Sequence, residues 1–275
     1  MQKDIRCVVL DIDGTLLNSE HELSQRNRAA IRAVQKRGLL VTLATGRRLV
    51  RTLPWIRALE ITVPVVVHNG AVIYDPVTQL VTEKIGMDMV LVERIVDDLR
   101  ASGVHFVVYT GESAGDALQM EQNLWETGRH LLQRYVGDGV DAVDAHDFAE
   151  PPLKVASVGP TEELEPYLPV WQERYGDCTN MMVFYSADGL YSGVEFVALG
   201  VSKASAAERI LRSRGFGLDE ALCIGDDIND KELILGAGVG IAMANGDLRL
   251  REAARHITSS NDDDGVAQAL EDYIL

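Results

Sequence analysis

Short apolar runs alternate with one-sided amphipathic stretches at both ends of the chain, the pattern of strands and helices in a sheet covered on both faces. The first run predicts a strand over about 5–11 and a loop through Leu17. A helix is expected over about 24–37, with Ser24 as N-cap and Gly38 just past its end. A strand over about 39–44 leads through Thr45-Gly46-Arg47 into a helix to about Leu59 that crosses Pro54. A strand over about 64–68 then ends at the turn signal Asn69-Gly70.

Near residue 80 the rhythm changes. Strand-like Leu80–Ile85 precedes a helical pattern from Asp88 to Leu99, a strand Val104–Tyr109 and a helix over about 121–135. The stretch 136–152, rich in glycine, aspartate and proline, is predicted as loop. Leu153–Val158 is a strand, 161–175 a helix, and Met181–Tyr185 and Tyr191–Val197 two strands around Asp188-Gly189. From Val201 the first rhythm returns: helix 203–214, strand 221–225, helix 229–236, strand 238–242, helix 246–254, strand 255–258 and helix 264–273. This predicts an α/β fold, a doubly wound parallel sheet (Rossmann-like core) built from 1–80 and 196–275. An α/β domain with a more antiparallel sheet is inserted at 81–195, and two short crossings suit a hinge between core and lid.

The chemistry sits where the apolar runs stop. Val8-Val9-Leu10 ends in Asp11-Ile12-Asp13-Gly14-Thr15, and strand alternation would put Asp11 and Asp13 on one face. Two like charges that close need a cation or a shared proton, while an Asx turn after a core strand is the purely structural alternative. Leu222-Cys223-Ile224-Gly225-Asp226-Asp227-Ile228-Asn229-Asp230 repeats the design near the other end, where capping acids at a helix start would also fit. Thr45 and Gly46 lie at a strand–helix junction, a ready anion site. Lys203 opens a helix, an electrostatically poor place for an ordinary exposed cation.

In this order the four segments resemble motifs I to IV of the haloacid dehalogenase superfamily of phosphohydrolases. His68-Asn69-Gly70-Ala71, Met243-Ala244-Asn245-Gly246 and Asn261-Asp262-Asp263-Asp264-Gly265-Val266 are similar to its Cof-type branch, whose caps are α/β domains. The resemblance covers about 5–75 and 190–270. It implies Asp11 as a nucleophile forming an aspartyl-phosphate, and Asp13 as the acid that protonates the leaving alkoxide and later activates water. It implies Mg²⁺ held by the Asp11 carboxylate, the Asp13 carbonyl and Asp226, with Asp230 and Asp227 acting through water or as orienting groups. Thr45 and the Gly46 amide would bind the transferring phosphate, Asn229 would orient phosphate or Asp230, and Lys203 would neutralise charge at Asp11. Arg47 is expected on the substrate or a nearby loop, Gly14 in the tight turn, and the Thr15 hydroxyl pinning the loop around Asp13. Asp227 and Ala204 depart from residues common in the family, which more often has a small or neutral side chain and a glycine there.

The resemblance thus implies a Mg²⁺-dependent phosphatase acting on a small phosphorylated metabolite. A phosphomutase on the same fold, and a nucleotide- or metabolite-binding regulator without turnover, are the alternatives. Basic residues of the insert are dispersed, against a mutase, and the intact Asp11, Asp13, Thr45, Lys203 and Asp226 set speaks against a silent binder. Selectivity is assigned to the insert, through the Tyr185–Gly189 turn and the loops after Tyr109, which carry no motif.

Charge and composition narrow the partners. A net charge of −16 disfavours nucleic acid and anionic membrane, and 47% hydrophobic residues suffice for a large core. No apolar run reaches spanning length and no signal segment opens the chain, so a cytoplasmic protein is expected. Cys7, Cys178 and Cys223 have no metal or redox spacing and read as small buried hydrophobes. Arg26, Arg28, Arg32, Arg37, Arg48 and Arg51 fit solvated helix faces. Gly236–Gly240 follows a helix, the wrong order for a dinucleotide loop, and Asp262–Asp264 is expected to cap the last helix.

Overall fold

A parallel sheet covered on both faces demands strands with no outward polar position, and Cys7–Leu10, Ala221–Gly225 and Val239–Met243 are buried along their whole length. The computed structural model describes residues 4–112, 116–122, 140–143, 146, 148–186 and 188–275. Five parallel strands pair in the order His256–Thr258, Val239–Met243, Ala221–Gly225, Cys7–Leu10, Leu40–Leu43. The α/β fold expected from the pattern is therefore present. Cys7–Leu10 lies between Leu40–Leu43 and Ala221–Gly225, strands reached in opposite directions along the chain, so the loops that follow all three open at a topological switch point.

Helix starts follow local chemistry. Ser24 accepts from the Asn27 amide to begin Gln25–Lys36, and Asp88 accepts from the Leu91 amide to begin Met89–Ala101. Lys203–Arg212 begins with reciprocal bonds between Ser202 and Ser205. That helix presses Ala204, Ala207 and Leu211 into a cluster with Cys7, Val9, Val66 and Cys223. Pro54 sits inside Leu49–Ala58, where its ring removes one helical donor without ending the helix.

The chain divides into two compact units, Met1–Glu83 with Ser202–Leu275, and Lys84–Val201. The first also holds a sheet of Val65–Val67, Val72–Asp75 and Leu80–Lys84, whose last residue begins the second unit. The second holds a six-stranded sheet in the order Thr179–Tyr185, Tyr191–Ala198, Lys154–Pro160, Phe106–Tyr109, Leu118–Glu121, Val140–Val143. Its pairings are antiparallel except the last, which is parallel. Met89–Ala101 packs Val92, Ile95 and Leu99 against Phe106, Val155 and Phe196, and burying a side chain of this size contributes roughly 1.5–3 kcal/mol.

Several expectations are corrected. Val140–Val143 is a strand rather than loop, because it pairs in parallel with Leu118–Glu121, while Asp141 and Ala142 stay exposed. The helix expected over 161–175 breaks into Thr161–Leu164 and Leu168–Tyr175 around Pro166, which lacks the donor to continue it. The helix expected over 121–135 falls almost wholly outside the described residues. Cys178 is exposed, unlike Cys7 and Cys223, and Arg48 is buried rather than solvated. Of the acidic run expected to cap the last helix, Asp264 occupies the N-cap position of Gly265–Tyr273 without a side-chain cap bond, while Asp262 accepts from the amide and hydroxyl of Ser19. No helix among the described residues is long and apolar enough to cross a membrane.

Candidate active site

The strand Cys7–Leu10 stops one residue before Asp11, whose amide still donates to the Ile224 carbonyl at 3.0 Å. Asp11 is thereby held, buried, at the carboxyl edge of the sheet. Asp13 lies in the turn beyond, so strand alternation does not place the two carboxylates together. Asp13 is half exposed, and both its oxygens are engaged by the Arg47 guanidinium, with Nε 2.6 Å from Oδ2. The Arg47 side chain thus pairs with the loop that carries Asp13.

Lys203 is buried, with 1% of its side chain accessible. Its Nζ lies 3.0 Å from Asp11 Oδ1 and donates to Asp230 Oδ1 at 2.8 Å. The second Asp230 oxygen accepts from the amides of Asp226 and Asp227 at 3.1 and 3.2 Å. Both oxygens of Asp230 thus meet protein donors, which ties Lys203 to the Asp226 loop. Thr15 Oγ1 donates to Asp226 Oδ1 at 2.6 Å, so this hydroxyl fixes Asp226 rather than the loop around Asp13. Gly14 has φ +71°, and a Cβ there would fall 2.3 Å from Asp226 Oδ2. Asp227 accepts from its neighbour, the Ile228 amide, at 2.7 Å.

Carboxylates outnumber the cation in this crevice. Burial pushes Asp11 up to about 7, against the pull of Lys203 and with a further push from Asp230 and Asp13. Burial, then Asp11 and Asp230, pushes Asp226 well above the usual carboxylate range, and burial also raises Asp227. Burial alone would lower the Lys203 pKa, but Asp11 and Asp230 outweigh it and raise it. Carboxylate oxygens of Asp11, Asp226 and Asp230 lie within 4.8 Å of one another. An all-oxygen set with surplus negative charge fits a hard divalent cation better than a soft metal.

The helix Leu49–Ala58 starts later than expected, so Thr45 and Gly46 occupy the turn before it. Thr45 Oγ1 accepts from the Arg47 amide at 3.2 Å, which leaves its own proton to donate. Asn229 is half-buried, and its Nδ2 donates to Asn69 Oδ1 at 3.0 Å. Two asparagines whose roles the residue pattern did not predict secure the Asp13–Gly14 turn. Asn245 Nδ2 donates to the Gly14 carbonyl at 2.8 Å, and Asn245 Oδ1 accepts from the Asn261 amide at 2.9 Å. Asn261 Nδ2 in turn donates to the Leu17 carbonyl at 2.8 Å. Their signal lay in the flanking segments around Asn245 and Asn261, and only contacts more than 200 residues apart in sequence reveal the role.

A family model described as haloacid dehalogenase-like hydrolase matches residues 8–270. The chain belongs to this family. The haloacid dehalogenase-like chain is 28% identical to 5-amino-6-(5-phospho-D-ribitylamino)uracil phosphatase YcsE of Bacillus subtilis, over 99% of this chain and 97% of that protein. It is 26% identical to phosphatase YwpJ of the same organism, over 97% and 99% of the two. A solved haloacid dehalogenase-like hydrolase from Bacteroides thetaiotaomicron has a TM-score of 0.80 at 27% identity, covering 98% and 99% of the two chains. The family resemblance seen in the motifs holds, and so does the expected class of enzyme, a phosphatase-type hydrolase.

Proposed function

We propose that this haloacid dehalogenase-like hydrolase is a Mg²⁺-dependent phosphatase of a small phosphorylated metabolite, working through an aspartyl-phosphate on Asp11. The observation that carries the reading is a buried Asp11 beside Lys203, within a cluster of carboxylates that exceeds the available positive charge. Asp11 attacks phosphorus, and the bond to the leaving oxygen breaks as the acyl phosphate forms. Asp13 gives the alkoxide its proton, then takes one from the water that hydrolyses the acyl phosphate. For this the pair with Arg47 must loosen as substrate arrives. Lys203 neutralises charge at Asp11, and Thr45 donates to a phosphate oxygen. Asp11, Asp226 and the Asp13 carbonyl would hold Mg²⁺, which when bound offsets the negative charge of the phosphoryl group.

Release of phosphate from p-nitrophenyl phosphate with Mg²⁺, lost on adding a chelator, tests the reading. No release by the folded protein at any divalent ion would overturn it. A panel of phosphorylated sugars, nucleotides and acids then ranks substrates, and a ribitylaminouracil phosphate belongs in it because a relative carries that name. The unit Lys84–Val201 is proposed as the cap that sets this preference.

Asp13→Asn should lower turnover of alkyl phosphates by about 10²–10⁴-fold. Aryl phosphates, whose leaving groups need less protonation, should lose less, and equal losses would assign Asp13 a structural role.

Asp11 and Asp226 titrate above their unfolded values, so between about pH 4 and about pH 7 these two groups hold more protons in the folded metal-free protein than in the unfolded chain. The stability these two carboxyls contribute is expected to fall as pH rises through that window. Mg²⁺ replaces those protons, so its effect on the melting temperature should be larger at pH 8 than at pH 5. Calorimetry with and without Mg²⁺ at both pH values checks this, and an equal shift at both would count against a carboxylate metal site.

A further inference from the structure

Three successive residues after the strand Val65–Val67 have left-handed backbone: His68 at φ 51°, Asn69 at 54° and Gly70 at 104°. Such backbone is unfavourable for residues with a Cβ and persists only where its surroundings over-determine it. Here the constraints are visible. The His68 amide donates to the Arg47 carbonyl, and the Asn69 amide to the Thr45 carbonyl, each at 3.0 Å. A Cβ on Gly46 would lie 2.9 Å from Asn69 Oδ1, so the buried Asn69 side chain rests directly on that glycine. A Cβ on Gly70 would lie 2.2 Å from the Ser202 carbonyl, which presses the same turn against the cap of the Lys203 helix. Asn69 Oδ1 accepts from Asn229 Nδ2 at 3.0 Å. One short turn therefore touches the Thr45–Gly46 turn, the Ser202 cap of the Lys203 helix and the Asn229 side chain.

We propose that Asn69 is a positioning residue for this hydrolase: its side chain, seated on Gly46, accepts from Asn229 through Oδ1 and so sets the geometry of the phosphate-facing loops. The inference rests on the phosphatase reading. Asparagine suits the position because it tolerates left-handed backbone better than most residues with a Cβ. It also supplies an uncharged acceptor where aspartate would add to the carboxylate excess.

Asn69→Gly keeps the left-handed backbone and the amide bond to Thr45 while removing the side chain. Asn229→Ala removes the same side-chain bond from the other end. With p-nitrophenyl phosphate and Mg²⁺, each single variant should lose about tenfold in kcat, the scale of one misdirected hydrogen bond. KM should change less, and the melting temperature should stay near that of the wild type. The double variant should be no slower than the slower single one, because both changes remove one interaction. Losses that multiply in the double variant, or a wild-type kcat for Asn69→Gly, would overturn the proposal. If Asn69→Gly does not fold, Asn229→Ala decides, and a wild-type kcat for it is equally fatal. An inactive wild-type protein would instead overturn the phosphatase reading, and this inference with it.

Discussion

Asp11→Asn is expected to abolish turnover, by at least about 10⁴-fold, while the protein still folds and melts cooperatively. The substitution keeps the volume of the side chain but removes the nucleophile. Its effect on stability is a balance. Asp11 loses its attraction to Lys203 at 3.0 Å, yet its repulsion of Asp226 and Asp230 also disappears. Because burial already pushes Asp11 up to about 7, a neutral side chain fits the metal-free protein nearly as well as the ionised one. A melting temperature close to that of the wild type with no phosphate release is the expected pair of results. Near-normal turnover would sink the aspartyl-phosphate mechanism.

Lys203→Met should cost both activity and fold. Lys203 is buried against Asp11 and Asp230, and removing one partner of a buried ion pair typically costs about 3–5 kcal/mol because a charge is left uncompensated. The remaining cluster would hold carboxylates alone. Asp230→Asn in the Lys203→Met background should recover part of that stability, since it removes the carboxylate that Lys203 bonds at 2.8 Å. Denaturant unfolding of the single and double variants measures both effects. If Lys203→Met unfolds at the wild-type midpoint, the ion-pair network does not hold the site together in solution.

The residue pattern made much of this molecule legible. An apolar run with no polar face, as in Val8-Val9-Leu10, is a local signal for a doubly covered strand, and Ser24 and Asp88 cap helices through bonds three residues away. Short apolar runs before Asp11, Thr45 and Asp226 pointed to one edge of one sheet because parallel strands open their loops on the same side.

What the sequence by itself determined was therefore the order along the chain of the five parallel core strands, the family and the cluster of chemical groups, all carried by neighbours in the chain. Tertiary structure decided what those groups do to one another. Spacing placed Asp13 beside Asp11, but the strand ends at Leu10 and Arg47, 34 residues away, takes both oxygens of Asp13. Thr15 faces Asp226 across 211 residues of sequence, and Asn69 faces Asn229 across 160. Strand pairing of Val140–Val143 likewise came from a partner that local composition does not announce. The physical reason is common to all of these cases. Caps, turns and apolar periodicity are set by residues within a few positions, whereas ion pairs and burial depend on which distant loops the sheet brings to the same edge.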